Sequence, residues 1–552
     1  MYQLRRFLRQ TGSTYTRVDN DPESSLSGRY SSRRPLWSRL VMPVIFVVAL
    51  FAVLAGLASF MGSPITPPKS KPANTGIPAP PPIPPPSPPE PPKEADKESG
   101  PPLATNPAAA ALYALRSRQS ATLAQASSRY TLKTGRIPPP NFDKWFSMAQ
   151  KKHCLIDDYD QIQRDFEPWY QLAAQDPEHF NGMVDRGRQL MKINSMGMTI
   201  IKIQDGKVHM PTFQGTSFDG DWPRTLGRFA SVLPDMEFLL NGRDEPRIVF
   251  DVRAPDAIQE AMKLKDPKPF HIAPKPTADW FKERSGCNPS SSPKGFGMDG
   301  SADIAFLRSS SSSDFTTDLW PLLSMTKLSP CFSDILFPGQ YFYDESWWSG
   351  SFSHPNDVKW EDKKAKIYWR GMSNGGHIIG QNYHRFPRFR LITIARNHSD
   401  LIDAKMTQFA ETHCTDNCER NKIIEEYDIT GPKSSKEEVY KFKYLLDVDG
   451  NTFSGRYLSL LRSGSLVFKS TVYDEYFNDW LLPYEHYVPV SPDLSDLVDK
   501  VQWAIDNEAE ARRIQETGQL FAEKVMTDDQ NDCYFAMVLL EWARLQNKAK
   551  IH

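Results

Sequence analysis

A short polar loop between two apolar runs is the segment best suited to bind an anion. The preceding run, KYLLDVD at 443–449, is typical of a buried strand, and the loop ends in Ser454, Gly455 and Arg456. Small residues let the backbone approach a ligand closely. The first turn of a helix presents unpaired N–H groups, and an arginine fork there fits phosphate. From this stretch alone the leading interpretation is a plain strand-to-helix turn that Ser454 caps and in which Arg456 is solvated; the alternative is a phosphate site.

Other arginines adjoin small-residue turns in the same half of the chain. Arg370 precedes a glycine-rich turn in WRGMSNGG, and HRFPRFRLITIAR contains Arg385, Arg388 and Arg390. Fixed positive charges and helix N-termini can neutralise a diphosphate leaving group without a metal. For each arginine taken singly, pairing with a surface acid is the better explanation. For the arginines taken together, phosphate binding is an equally good explanation.

Carboxylates at metal-binding spacing offer a competing means of neutralisation. Asp447-Val448-Asp449 and Asp219-Gly220-Asp221 are both DxD patterns. Two carboxylates so spaced can hold a divalent cation against substrate phosphates. Because chance matches to so short a pattern are common in a chain this acidic, the metal site is kept as the alternative.

Asp244 and Glu245 are the candidates for acid–base chemistry. They lie in NGRDEP (241–246), after an apolar run, where α/β enzymes place reactive groups. A carboxylate beside Arg243 is expected to stay ionised near neutral pH, as a general base requires; the alternative is a structural acid. The sequence contains no G-x-S-x-G, H-E-x-x-H or Walker pattern, so hydrolase and ATPase functions lack support.

Strand-like runs alternate with helical patterns through most of the chain. A helical pattern covers 493–526, and the predicted strands are 198–203, 236–241, 247–252, 365–371, 443–449 and 465–469. This alternation predicts α/β layers with parallel sheets. The ordered length exceeds one core, so two such domains facing a ligand-binding cleft are expected. The Ser-, Pro- and Gly-rich stretch 285–314 is interpreted as an excursion from the first domain.

The first 128 residues have the composition of a membrane anchor and a stem. Residues 1–39 carry eight arginines against three acids, residues 40–62 carry no charge, and residues 64–102 contain 17 prolines. An uncharged run of that length spans a bilayer, its arginine-rich flank stays cytosolic, and proline-rich chain forms an extended spacer. We therefore predict a single-pass type II membrane protein with these parts: cytosolic tail 1–39, transmembrane helix 40–62, stem 63–128, N-terminal lumenal domain 129–345 and C-terminal lumenal domain 346–552.

The cysteines, a glycosylation sequon and the net charge agree with a secretory location. Six cysteines all follow the predicted span, which indicates disulfides in an oxidising compartment, although the sequence does not choose the pairing. Cys414 and Cys418 are close enough to form a local loop. Asn397-His398-Ser399 is an acceptor sequon. A net charge of −1 argues against nucleic acid as a partner.

Four blocks, taken in order, resemble glycosyltransferase family 90, which includes fungal capsule-associated proteins and animal protein O-glucosyltransferases. The blocks are GRIPPPNFDKWFSMAQKKHCLIDDYDQI (135–162), NGRDEP, IYWRG (367–371) and the run from KYLLDVDGNTFSGRYLSLLRSGSLVFK to DEYFNDWLLPYEHYVPVSPDLSDLVDKVQWA (443–504). The resemblance covers about residues 130–545 and implies a GT-B fold, with two Rossmann-like domains facing a cleft. It also implies inverting transfer from a UDP-sugar without a metal or any other cofactor.

The resemblance also assigns roles to residues of this chain. Asp244 corresponds to the catalytic base. The donor-binding positions it implies are Arg370, Gly371, Ser373, Arg388, Asn451, Thr452, Phe453, Ser454, Gly455 and Arg456. The family's usual WRGS is WRGMS here, so either Ser373 takes the role of the serine one residue late or Met372 occupies its place. No metal ligand is expected, which makes Asp447 and Asp449 a structural strand end.

The sequence thus predicts a Golgi membrane glycosyltransferase with a lumenal catalytic part. Its expected partners are a UDP-sugar, xylose or glucose being the expected sugar, a glycan or glycoprotein acceptor and the membrane, through residues 40–62. Relatives often carry an ER-retrieval tail, whereas this chain ends in AKIH and has an anchor. Two alternatives are a metal-dependent GT-A-like transferase that uses Asp447 and Asp449, and a non-catalytic anchored glycan-binding protein.

Overall fold

The computed structural model describes most of the chain beyond the predicted stem. The described residues are 106–194, 197–210, 216, 218–263, 277–288, 315–346, 348–350, 358–414, 417–429 and 434–548. The predicted tail, the predicted span at 40–62 and most of the predicted stem lie outside them. Within the described part, no helix is both long enough and apolar enough to cross a membrane.

Helices and strands alternate through the described residues. The helices are α1 (Pro107–Ser117), α2 (Leu123–Thr134), α3 (Phe142–Lys151), α4 (Asp160–Gln175), α5 (His179–Asn194), α6 (Trp222–Gly227), α7 (Ala257–Met262), α8 (Ala278–Ser285), α9 (Pro387–Asn397), α10 (Arg420–Tyr427), α11 (Tyr457–Leu461), α12 (Leu497–Asp506), α13 (Glu508–Lys524) and α14 (Asp528–Gln546). The strands are β1 (Met198–Gln204), β2 (Lys207–His209), β3 (Met236–Asn241), β4 (Leu323–Ser324), β5 (Ile335–Leu336), β6 (Lys364–Met372), β7 (Ile402–Gln408), β8 (Phe442–Val448), β9 (Leu466–Ser470) and β10 (Val488–Pro489).

The strands form two five-stranded sheets, which confirms a mixed α/β architecture with parallel pairing. The second sheet, in the order β10-β9-β8-β6-β7, is parallel throughout. The first, in the order β2-β1-β3-β4-β5, is parallel from β3 to β5, but β1 is antiparallel to both neighbours. The β1–β2 pair is a hairpin whose turn residues, Asp205 and Gly206, both have positive φ (50° and 68°), the backbone that a tight hairpin turn requires.

The continuous apolar runs of the second sheet follow from burial on both faces. Along β8, Tyr444, Leu446 and Val448 pack in one hydrophobic cluster with α9 and α12, while Leu445 packs in the other. A parallel sheet covered on both sides has no solvent face, so its strands lose the polar alternation of a half-exposed strand. For this reason β6, β8 and β9 lie where the sequence predicted strands.

One strand prediction was wrong, and one helical prediction was confirmed as two helices rather than one. Residues 247–252 form only two isolated bridges, Ile248 with Thr316 and Val249 with Phe332. The Asp334 carboxylate accepts hydrogen bonds from the backbone N–H groups of Arg247 (2.9 Å) and Ile248 (3.0 Å), so a side chain replaces the strand ladder there. The helical pattern at 493–526 is two helices, α12 and α13, which are separated at Asn507.

The C-terminal helix α14 crosses back to the first half of the chain. It packs against α3, α4, α5 and β3, and its residues from Gln530 to Leu545 are all buried. The Trp145 indole N–H donates to the Cys533 carbonyl at 2.9 Å. A domain division at residue 345 stays a prediction. In any such division, α14 follows residue 345 in sequence but packs on elements that precede it.

Helix α1 and the first half of α2 lie within the predicted stem, which ends at residue 128, but pack on the globular body. The Arg116 guanidinium donates to the carbonyl oxygens of His153 (3.0 Å) and Lys524 (2.7 Å). The alanine-rich composition of this segment suits a helix with a thin buried edge, where Ala108 is buried.

All six cysteines form disulfides, as the sequence predicted. The pairs, which the sequence left open, are Cys154–Cys533, Cys287–Cys331 and Cys414–Cys418. The first pair ties the segment after α3 to α14 across 379 residues of sequence, whereas the third closes a loop of separation 4.

We expect the Cys154–Cys533 bond to stabilise the fold most. A cross-link restricts the unfolded chain more when it closes a longer loop, so the Cys154→Ala/Cys533→Ala variant should lose about 2–5 kcal/mol of unfolding free energy. Denaturant unfolding measures this loss, and the Cys414→Ala/Cys418→Ala variant is the matched control, with an expected loss of about 2 kcal/mol or less. An equal or larger loss in the control would contradict the expectation.

Candidate functional site

The order of the second sheet opens a crevice at the carboxyl ends of β6 and β8. After β6 the chain goes to β7 on one side, then returns to β8 on the other. The loops that follow two such strands diverge, and open α/β sheets bind ligands at this point. Here those loops are residues 373–376 and the segment from Asp449 to Arg456, called the 449–456 loop below.

Arg388 holds these two loops together. Pro387 begins α9 directly after an extended Phe386, which places Arg388 in the first helical turn. Its Nε donates to the Asp449 carbonyl at 2.9 Å, and its Nη1 donates to the Met372 carbonyl at 3.0 Å and to the Asn374 side-chain oxygen. One guanidinium therefore sets the relative position of both strand ends.

Glycines make this close arrangement possible. A Cβ at Gly450 would lie 2.8 Å from Nη2 of Arg388, so a larger residue would displace the guanidinium or the loop. Gly375 has φ +119°, which other residues rarely adopt, and a Cβ there would lie 3.2 Å from the Gly450 carbonyl oxygen. The small residues of both motifs thus serve close backbone approach.

The crevice is electropositive. Arg388 is only 5% exposed, and burial together with the nearby positive charge of Arg456 lowers its pKa to about 9, although Asp449 and Asp447 act in the opposite direction. Arg456 Nη1 donates to the Arg370 carbonyl at 2.8 Å, which places this second guanidinium at the end of β6. Two neighbouring cations, one of them desolvated, favour a bound anion.

Asp244 lies after β3 and contacts the 449–456 loop. The Tyr341 hydroxyl donates to its Oδ1 at 3.3 Å, and the Asn451 amide hydrogen-bonds the same carboxylate. Burial and the Glu245 carboxylate raise the pKa of Asp244 to about 6, and they outweigh Tyr341, Asn451 and Arg243, which lower it. The expected effect of Arg243 is therefore correct in sign, but burial and Glu245 outweigh it.

The rest of the 449–456 loop is packed inside the protein. The Thr452 carbonyl accepts from the Gly450 N–H at 2.7 Å, and the Phe453 ring packs edge-on against Tyr341. Ser454 does not cap α11: Arg456 is the N-cap residue, without a side-chain bond, and Ser454 Oγ is buried with no hydrogen-bond partner in the described structure. Gly455 lies against the Tyr341 ring, which a Cβ would approach to 3.0 Å.

Three predicted donor-binding residues have other contacts. The Arg370 guanidinium pairs with Asp403 at 2.7 Å and stacks on Tyr368. Gly371 lies within β6, where a Cβ would meet the ring of Trp369. Ser373 is fully buried, and its Oγ accepts from the Ala410 N–H at 2.9 Å. Arg370 and Ser373 thus position the strand end rather than bring side chains to Arg388.

The carboxylates of the DxD patterns have structural partners. Asp447 accepts from Lys469 Nζ at 3.0 Å, and Lys469 also contacts Glu475 at 3.1 Å. Asp449 Oδ2 accepts from the Val472 N–H at 2.9 Å, and burial raises the pKa of Asp449 to about 6.

The two carboxylates of the earlier DxD pattern, at 219–221, also have partners within the protein. Asp219 accepts from the Thr199 hydroxyl, and Asp221 pairs with Arg224, both at 2.7 Å. Across the described ranges, no group of three or more His, Cys, Asp or Glu side chains is arranged for a metal.

Sequence reasoning missed three residues that line or support the site: Tyr341, Asn374 and His413. Burial lowers the pKa of His413 to about 3, aided by His377 and Arg388, so its imidazole is neutral. Asn374 lay inside the quoted WRGMSNGG motif and was not singled out. Tyr341 and His413 lie in segments that carry no motif, and only the tertiary structure brings them to the site.

Comparisons with known proteins cover about a third to a half of the chain. The chain is 33% identical over 191 residues to protein O-glucosyltransferase 2 of Danio rerio, and 31% identical over 189 residues to protein O-glucosyltransferase 3 of Homo sapiens; each match covers 34% of this chain and 34% of the relative. Human protein O-glucosyltransferase 1 is 28% identical over 191 residues, which cover 34% of this chain and 43% of the relative. The chain thus spans about a third of the length of the first relatives.

A solved structure and a family model complete the comparisons. Sucrose-phosphate synthase from Thermosynechococcus elongatus aligns over 35% of this chain and 46% of that chain, at 16% identity and a TM-score of 0.22, a likeness too low to support a statement about fold. The model of glycosyl transferase family 90 matches residues 308–551, which contain the 449–456 loop and Arg388 but not Asp244. Residues 308–551 therefore belong to glycosyltransferase family 90.

Proposed function

We propose that this protein is a type II Golgi membrane glycosyltransferase that transfers xylose or glucose from a UDP-sugar to a hydroxyl of a glycan or glycoprotein. Transfer inverts the anomeric carbon and needs no metal, and the two sheets belong to the two Rossmann-like domains of a GT-B enzyme. One observation carries the proposal: the 449–456 loop contacts Arg388 through the Asp449 carbonyl and Asp244 through Asn451. One loop thus contacts both the arginine proposed to bind the diphosphate, Arg388, and the proposed base, Asp244.

The proposed step uses these groups directly. Asp244 takes the proton of the acceptor hydroxyl while the hydroxyl oxygen attacks the anomeric carbon. The bond from that carbon to the UDP oxygen breaks on the opposite face, and UDP leaves with the electron pair. Arg388 and Arg456 neutralise the charge that develops on the diphosphate, the contribution that fixed cations make in a site without metal. The relatives are named protein O-glucosyltransferases, which supports a protein acceptor.

Asp244 should be required for transfer from the UDP-sugar. The full-length protein in detergent is incubated with a panel of UDP-sugars and acceptors, with and without chelator, and UDP release is measured. We expect release with one donor, unaffected by chelator, and a loss of about 10²–10⁴-fold in Asp244→Asn, because general-base catalysis contributes that much. Loss of activity on chelation would favour the metal-dependent alternative at Asp447 and Asp449. Donor binding without turnover under every condition would favour a glycan-binding protein.

The two arginines of the donor motifs should differ in importance. Arg388→Lys keeps the charge but loses the fork that holds both loops, so we expect the KM for the UDP-sugar to rise about tenfold, as for the loss of one charge-assisted hydrogen bond. Arg370→Lys is the matched control, because its guanidinium pairs with the 40%-exposed Asp403, and its KM should change less than about twofold. Steady-state kinetics separates the two, and a larger effect at Arg370 would overturn this assignment.

Lumenal topology can be tested at the sequon. Asn397 is the last residue of α9 and is exposed, as is Ser399, so the acceptor is accessible. If residues after 62 are lumenal, endoglycosidase should increase the gel mobility of the full-length protein expressed in eukaryotic cells. Asn397→Gln and Ser399→Ala should abolish that shift. A wild-type protein that carries no glycan at Asn397 would contradict the proposed topology.

A further inference from the structure

We propose that Tyr341 is a positioning residue that ties the 449–456 loop to the base: its hydroxyl holds the Asp244 carboxylate in place while its ring supports the loop. This inference rests on the proposed function, because it gives Asp244 the role of general base. Tyr341 does not reach the reacting atoms in this proposal. It acts through Asp244.

Both ends of the Tyr341 side chain have definite contacts. The hydroxyl donates to Asp244 Oδ1 at 3.3 Å. The ring lies edge-on between Phe218 and Phe453, with centroid distances of 5.6 Å to each. Because the residue is only 6% exposed, these two rings leave the hydroxyl little freedom to turn away from the carboxylate.

The backbone around Tyr341 is equally close to the loop. The Gly350 N–H donates to the Tyr341 carbonyl at 2.9 Å. A Cβ at Gly350 would lie 1.9 Å from the Gly455 carbonyl oxygen, and a Cβ at Gly455 would lie 3.0 Å from the Tyr341 ring. With no space between these segments, a displacement of the loop has to move Tyr341 and with it the hydroxyl on Asp244.

The loop also reaches Asp244 directly, through Asn451. The carboxylate is therefore held by two hydrogen bonds, one from the loop and one from a ring that packs on the loop. A loop that is ordered by a bound donor would keep both bonds. In this way, binding of the UDP-sugar is linked to the ionisation and orientation of the Asp244 carboxylate.

The charges around Asp244 determine the direction of the test. The groups that face it are Glu245 and Arg243 from its own loop, Tyr341 and Asn451 from the other segments, and the phenol of Tyr473, whose pKa is raised well above its usual value, so it is neutral. Hydrogen bonds to the charged form lower the pKa of a carboxyl. Removal of the Tyr341 hydroxyl removes one of the hydrogen bonds that lower the pKa of Asp244. Burial and Glu245, which raise that pKa, then have a larger net effect, and the pKa rises from about 6.

The test is the pH profile of kcat/KM for Tyr341→Phe, which keeps the ring and removes the hydroxyl. The base works ionised, so activity is lost as pH falls through its pKa, and a higher pKa moves that loss to higher pH. We expect the acid limb to move up by about 0.5–1 pH unit. Tyr343→Phe is the matched control, because the Tyr343 hydroxyl is buried without a hydrogen-bond partner in the described structure, and its limb should stay in place. A Tyr341→Phe limb that coincides with wild type overturns the proposal.

A second readout does not depend on turnover. In the full-length protein with ¹³C-labelled aspartate, the carboxyl resonance that disappears in Asp244→Asn is titrated in wild type, Tyr341→Phe and Tyr343→Phe. An upward shift in Tyr341→Phe alone supports the link to Asp244, and equal titrations in all three overturn it. If no UDP-sugar is turned over, the proposed function fails while this titration still decides the hydrogen bond.

Discussion

The burial of Arg388 is the constraint around which the candidate site is arranged. A guanidinium removed from water has to find partners for its N–H groups, and here the partners are two carbonyl oxygens and an amide oxygen rather than a carboxylate. These acceptors belong to the ends of β6 and β8, so the need to satisfy one side chain brings two loops together. Because no partner in this set carries a negative charge, the positive charge remains available to a ligand.

Asp244 is linked to this crevice through aromatic packing between the two halves of the chain. Tyr341 lies between Phe218 from the first half and Phe453 from the 449–456 loop. Helix α14 and the Cys154–Cys533 bond add a second connection, since the last helix of the chain is buried among α3, α4 and α5. Asp244, which follows a strand of the first sheet, and Arg388, which lies beside the second sheet, are in this way connected through packed side chains.

Asp447 and Asp244 each lie at or just after the end of an apolar run, but their charged neighbours in the structure differ. Asp447 faces the buried Lys469, whose pKa is raised above its usual value mainly by the carboxylates of Glu475 and Asp447, and this charge pairing fixes a structural role. Asp244 is next to another carboxylate, Glu245, and its hydrogen-bond donors are an amide and a phenol. The first arrangement holds a strand end, whereas the second leaves a carboxylate that can accept a proton near neutral pH.

The sequence by itself determined the α/β class, strands β1, β3, β6, β8 and β9, the presence of disulfides, and the small-residue 449–456 loop after a buried strand. These features follow from apolar periodicity, glycine placement and residue type, which act over a few neighbouring residues. Residues 247–252 have the same apolar pattern but form only isolated bridges, because Asp334 takes the N–H groups of Arg247 and Ile248. Only the tertiary structure decided that Arg388 rather than Arg370 points into the crevice, which cysteines pair, and that Tyr341 reaches Asp244. Apart from the local Cys414–Cys418 pair, these contacts join residues that are tens to hundreds of positions apart in the chain. The local pattern of a chain carries no information about which distant groups packing will bring into contact.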